Sequence, residues 1–98
     1  MILHHIQTSA SHDNALRMCL RYITAGDSLI LTADAVNALL YPDWLNLIAP
    51  FAVYVLKDEI RARGLEPKLA SISNIQINVI DDTEFVNQTL RHTKVITW

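Results

Sequence analysis

The chain carries a single thiol, Cys19, among its 98 residues. A lone cysteine has two uses. Exposed in an electropositive setting it is a thiolate that accepts and donates sulfur; packed in an apolar setting it is a small hydrophobe with a raised pKa. Leu16, Cys19, Leu20 and Ile23 fall at i, i+3, i+4 and i+7, which lines them up on one helical face while Arg17 and Arg21 point elsewhere. The thiol thus lies on an apolar stripe inside a helix, with those two arginines as its only local cations. Position favours packing, and Cys19 stands as the one candidate catalytic residue.

The histidines offer less. His4 and His5 are adjacent in a β-rich segment, where neighbours point to opposite faces, so they cannot share one metal without distortion. Asp81, Asp82 and Glu84 have the types of a cation or phosphoacceptor site, but Asp81 at N-cap and Glu84 at N3 form a capping box, which explains them more simply. The chain has no GxGxxG or Walker loop, no GxSxG elbow, no CxxC and no HExxH, leaving dinucleotide, nucleoside triphosphate, serine-hydrolase and zinc-protease chemistry unsupported. Neither a metal nor a cofactor is expected.

The elements that must position these residues alternate. Ile2 to Ile6 reads as a first strand, and Ser11 as N-cap of a helix running to about Thr24, closed by Gly26-Asp27. Leu29-Ile30-Leu31, apolar on both pleat faces, suits a strand of Asp27 to Leu31 covered on both sides. Thr32 caps a short helix through Ala33 to Leu40, Tyr41-Pro42-Asp43 interrupts the pattern, and Trp44 to Ile48 makes a further helical turn. Phe51 to Leu56 is a fully covered strand. Lys57 to Arg63 is a helix with Asp58–Arg61 and Glu59–Arg63 pairs; Gly64 closes it, and Leu65 folds back onto its end. Beyond a loosely patterned stretch from Glu66 to Asn74, Ile75, Ile77, Val79 and Ile80 mark a fourth strand. The capped helix then runs to about Arg91 with Phe85, Val86, Thr89 and Leu90 as its apolar side, and Lys94 to Trp98 adds a short edge strand.

Strands alternating with helices give right-handed βαβ units and a small, mostly parallel α/β sheet of Rossmann or flavodoxin-like type, forming one domain over residues 1–98. With so few helices, one face or edge of the sheet is left incompletely covered, which favours an oligomer. The composition agrees: 51% of residues are hydrophobic and 18% charged, with a mean hydropathy of +0.21. The apolar excess is expected at a subunit interface, with Tyr41, Trp44 and Trp98 as the candidate interface aromatics. A net charge of −2, with no basic stripe, argues against direct nucleic-acid binding. No apolar run is long enough to cross a bilayer, and the opening MILHHIQTSA lacks the features of a signal peptide. A cytoplasmic location fits both this and the lone cysteine, which cannot form an internal disulfide.

Four blocks, ILHHIQTSA, GDSLILTADAVNALL, VYVLKDEIRARGL and INVIDDTEFVNQTLRHTKVITW, together resemble the TusB/DsrH family across nearly the whole chain. The most specific parts are VYVLKDEIRARGL and the pattern of Asp82, Phe85, Val86, His92 and Trp98. The resemblance implies a DsrE/DsrF-like fold and a subunit of the TusBCD sulfur-relay complex, a heterohexamer of two BCD trimers. Its partners would be TusC and TusD, with the carriers TusA and TusE reached through the complex, and its output the 2-thiolation of wobble uridine in tRNA. In that branch the sulfur-bearing cysteine belongs to TusD, which implies a structural and docking role here. DsrH-type members of sulfur oxidisers often have a cysteine in the first helix, the region of Cys19, which implies the alternative of Cys19 as sulfur acceptor. A generic protein-binding α/β module is the third reading. The family pattern favours Asp-Gly where this chain has Asp34-Ala35, which puts any tight glycine-dependent turn there in question.

Overall fold

In the computed structural model, which describes residues 1–73 and 75–98, five strands form one sheet. They are β1 (Ile2–Ile6), β2 (Ser28–Leu31), β3 (Ala52–Leu56), β4 (Ile77–Ile80) and β5 (Lys94–Thr97). Their spatial order is β4-β3-β2-β1-β5 and every neighbouring pair is parallel. The expected α/β class and the edge strand are both present. From β1 to β4 the chain steps steadily in one direction, so right-handed crossovers place their helices on one face, here called the front; the return from β4 past β1 to β5 puts its helix on the back.

The front holds the main core. Its helices are α1 (Ala15–Tyr22), α2 (Pro42–Ile48), α3 (Lys57–Ala62) and α4 (Glu66–Ser71), with a 3-10 segment at Ala33–Leu40. Leu16, Cys19, Val36, Leu39, Ile48, Ile60 and Leu65 pack there on Ile6, Leu29, Leu31, Val53 and Val55. The continuous apolar run of β2 is buried at all four positions. Ile30 joins Leu3 on the back, where α5 (Asp82–Arg91) is the single covering helix among the described residues. That helix reaches His5 through Phe85 and Ser28 through His92. Farther along the back, Ala52, Tyr54 and Ile80 are only half-buried. The expected incomplete cover of one face is present.

Helix ends depart from the sequence pattern in instructive ways. The first helix starts at Ala15 behind Asn14 rather than at Ser11, and stops at Tyr22 with Ile23 as C-cap. Residues 9–13 instead form a turn, with His12 and Asp13 both donating to the carbonyl of Ser9. Gly26, at φ 93°, serves the turn from Thr24 to Asp27 rather than the helix end. Pro42 opens α2 instead of interrupting it, since a first-turn proline loses no hydrogen bond. The stretch from Glu66, expected to be loose, contains α4, again with proline in its first turn; Asn74, at its end, lies outside the described residues.

The end of α3 follows its sequence signal closely. Gly64, at φ 64°, donates to Arg61 O, and Leu65 donates to Ile60 O, a Schellman closure in which the buried Leu65 and Ile60 meet in the core. The charges of α3 act elsewhere than expected. Arg63 reaches Asp34 at 2.9 Å, and Glu59 accepts from the backbone N–H of Ala33, so both clamp the start of the 3-10 segment. Of the predicted capping box only half forms: Asp81 accepts from Glu84 N at 2.8 Å, while Glu84 turns toward Gln88 and Asn87.

Candidate functional site

Cys19 sits in the first helix with 0% of its surface exposed. Burial, with the charge of Asp27 adding to it, pushes its pKa up to about 12. A thiol in that state is a packing group rather than a nucleophile. The closest thing to a catalytic constellation is a buried chain on the front face, Asp27–His4–Trp98, and both nitrogens of its imidazole are already taken. His4 Nε2 lies 3.1 Å from Asp27 Oδ2, and the indole N–H of Trp98 donates to His4 Nδ1 at 3.0 Å.

An Asp–His pair is the orienting half of an acid–base device, but the third member here is an indole, a donor that carries neither a nucleophile nor a removable proton. The chain is a structural tie. Asp27 also accepts from Ile2 N at 3.0 Å and from both the N–H and hydroxyl of Thr24 at 3.2 Å. Burial alone would raise its pKa; the hydrogen bonds from Ile2, His4 and Thr24 outweigh that and hold it at about 2. One carboxylate thereby joins β1, the turn after α1 and, through His4, the end of the chain.

His5, on the opposite pleat face as alternation requires, bonds Thr32 at 2.8 Å and meets the Phe85 ring edge-on at 5.6 Å; desolvation lowers its pKa. His92 donates from Nδ1 to Gln88 O at 2.7 Å, leaving Nε2 to accept from Ser28 at 3.0 Å. Three histidines thus serve three separate contacts. Among the described residues no three His, Cys, Asp or Glu side chains gather as a metal site, and no helix is long and apolar enough to cross a membrane.

The three candidate interface aromatics are not one patch. Tyr41 is 51% exposed at the start of α2. Trp44 is half-buried against the core, with the Arg17 guanidinium 6.0 Å from its ring centre. Trp44 also lines an open groove between α1 and α2, about 390 Å³, together with Arg17, Leu20, Arg21, Asp43 and Leu47. Trp98 lies beyond the other flank of α1, its ring 5.5 Å from that of Tyr22.

Sequence reasoning missed two features. The Asp27–His4–Trp98 tie joins residues remote in sequence and depends on β1 pairing with both β2 and β5. The other is the outward face of α5, whose apolar spacing predicts a packing stripe that the structure turns partly to solvent. Val86 and Leu90 are 58% and 78% exposed, while Gln88 is buried.

Comparison with known proteins places this geometry. In fold, the chain is similar to the crystal structure of the ychN protein from E. coli, with a TM-score of 0.76 at 19% identity, covering 99% of this chain and 97% of that one. In sequence it is 32% identical over 100 residues to protein TusB of Klebsiella pneumoniae, covering 99% of this chain and all of the relative. It is 36% identical over 100 residues to protein TusB of Erwinia tasmaniensis, with the same coverage. Over 83 residues, 81% of this chain and 82% of the relative, it is 40% identical to protein TusB of Escherichia fergusonii. The family model described as "DsrH like protein" matches residues 8–95. By full-length likeness to TusB proteins and by this family match, the chain belongs to the TusB/DsrH family.

Proposed function

We propose that this chain is a structural and docking subunit of a TusBCD-type sulfur relay, in which persulfide sulfur passes between carrier proteins toward 2-thiolation of the tRNA wobble uridine. The family membership supports the relay, and the state of Cys19 supports the division of labour. Persulfide transfer is a series of thiolate attacks on sulfur, each needing an accessible, ionisable thiol. The only thiol here is buried and holds its proton up to about pH 12. The sulfur-bearing cysteine therefore belongs to another subunit, and this chain contributes shape and apolar surface. Tyr41, Trp44 and Trp98 are its proposed contact aromatics, and TusC, TusD and the carriers TusA and TusE its proposed partners.

Co-expression with TusC and TusD tests the reading. A stable heterohexamer of two BCD trimers, unchanged in sulfur transfer by Cys19→Ala, is the expected result. A chain that purifies apart from both partners, or a complex whose transfer stops with Cys19→Ala, overturns it.

A further inference from the structure

Helix α5 packs one side on the sheet and leaves the other side bare. That outer side carries Val86 and Leu90, one turn apart and largely exposed. Charge is divided along the same helix: Asp81, Asp82 and Glu84 crowd its start, while from Phe85 to Trp98 there is no acidic residue and the cations are Arg91 and Lys94. The groups around each end keep that division. At the acidic end Leu56 pairs with Ile80, which sets Lys57 and Asp58 beside Asp81, where they offset each other. At the basic end the Met1 amine bonds Thr93 at 3.3 Å, and Asp27 is buried with its acceptors given to Ile2, His4 and Thr24. Glu84 turns inward along its own helix to Gln88, and Arg91 reaches it only at 3.8 Å.

A surface that is apolar in the middle, acidic at one end and basic at the other is complementary to itself. We infer that α5 packs on α5 of a second copy of this chain, antiparallel about a two-fold axis level with Gln88, with Val86 of each copy against Leu90 of the other. That register brings Asp82 of each helix within about one turn of Arg91 in the other copy. An antiparallel pair joins opposite charges at both ends, whereas a parallel pair sets acid on acid, so charge fixes the direction. Because both copies use the same patch, the contact closes at two and does not propagate. One helix pair buries less than the roughly 1,200 Å² of a stable interface, so the isolated dimer is weak and forms toward millimolar concentration. A heterohexamer of two BCD trimers contains two copies of this chain, and this contact leaves α1, α2 and their aromatics to the other subunits. The inference stands on α5 and does not rest on the relay reading.

Cysteine pairing and light scattering test it on the chain alone, so the outcome is separate from whether TusC and TusD bind. Val86→Cys and Leu90→Cys are placed in separate chains; both positions are exposed, where substitutions move stability little, and the buried Cys19 does not compete. Mixed in equal amounts near millimolar concentration and oxidised, they should give mainly the mixed disulfide dimer, at least about fivefold over either like pair, which mass spectrometry tells apart. Like pairs in excess, or only the mixture that random collision gives, overturn the assignment. By light scattering the wild-type chain should pass from monomer to dimer and stop there. Leu90→Asp enters the contact twice and should weaken dimerisation at least about tenfold. A wild type that stays monomeric or grows past two, or a Leu90→Asp chain that dimerises as the wild type does, overturns it as well.

Discussion

The indole N–H of Trp98 donates to Nδ1 of His4 across 94 positions of sequence, at 3.0 Å. An indole nitrogen can only donate, so Nδ1 is bare and the ring proton sits on Nε2, directed at Asp27. Trp98→Phe keeps a ring against Tyr22 but leaves a buried nitrogen without a partner. The expected cost is about 1–3 kcal/mol in denaturant unfolding. Nitrogen NMR of the wild-type imidazole should show the Nε2-protonated neutral form. An Nδ1-protonated ring would break the inferred donor order.

Asp27 gives the tie its pH dependence. Its carboxyl is held at about 2 against an ordinary 3.8, so the folded state binds that proton later than the unfolded state. The stabilisation is complete above pH 4 and disappears as pH falls through about 2. Asp27→Asn presents an amide N–H where His4 and Thr24 need an acceptor, and is expected to lose about 1–3 kcal/mol at neutral pH. Denaturation of both forms across the acid range checks the sign. The gap between them should narrow from pH 4 downward; a constant gap would mean that Asp27 does not titrate in the window its contacts dictate.

Legibility followed the range of the forces involved. The strands, the Schellman closure at Gly64 and Leu65, and the Asp81 cap are set by nearest-neighbour geometry and periodicity, and the chain states them outright. Pro42 interrupts the sequence pattern yet opens a helix, because proline breaks a helix interior but suits its first turn, and only the boundary decides which applies. Arg63 and Glu59 have i+4 spacing for each other, but the backbone of Ala33 and the carboxylate of Asp34 compete for them from a different connection. The Asp27–His4–Trp98 tie needs strand order, which periodicity does not carry. On α5 the apolar positions were visible, but not that Val86 and Leu90 turn away from the sheet while Gln88 turns in.

The thiol should behave as the core residue its surroundings make it. Native protein is expected to resist alkylation and disulfide-exchange reagents at neutral pH, with labelling appearing only as denaturant unfolds the chain. Cys19→Ala removes one buried sulfur and is expected to cost about 1–2 kcal/mol, whereas Cys19→Ser buries a hydroxyl in an apolar site and should cost more. Stoichiometric labelling of the folded protein within the dead time would show an accessible thiolate and reverse the assignment.

The resemblance implies glycine at position 35, yet the strained backbone is two residues earlier. Ala33 is the one non-glycine residue with positive φ among those described, at 50°, a conformation that costs an L-residue about 1 kcal/mol. It is held there between β2 and the 3-10 segment, with its own N–H donated to Glu59 and its neighbour Asp34 bound by Arg63. Ala35, by contrast, is fully buried in the core, where its methyl group packs. The two glycine substitutions should therefore move stability in opposite directions. Ala33→Gly relieves about 1 kcal/mol of strain against about 0.5 kcal/mol of added freedom in the unfolded chain, and is expected to gain up to about 0.5 kcal/mol. Ala35→Gly loses a buried methyl and adds backbone freedom without relieving any strain, and should cost about 1 kcal/mol or more. Paired thermal and denaturant melts decide it; a gain at position 35 with none at 33 would place the left-handed residue at 35 rather than at 33.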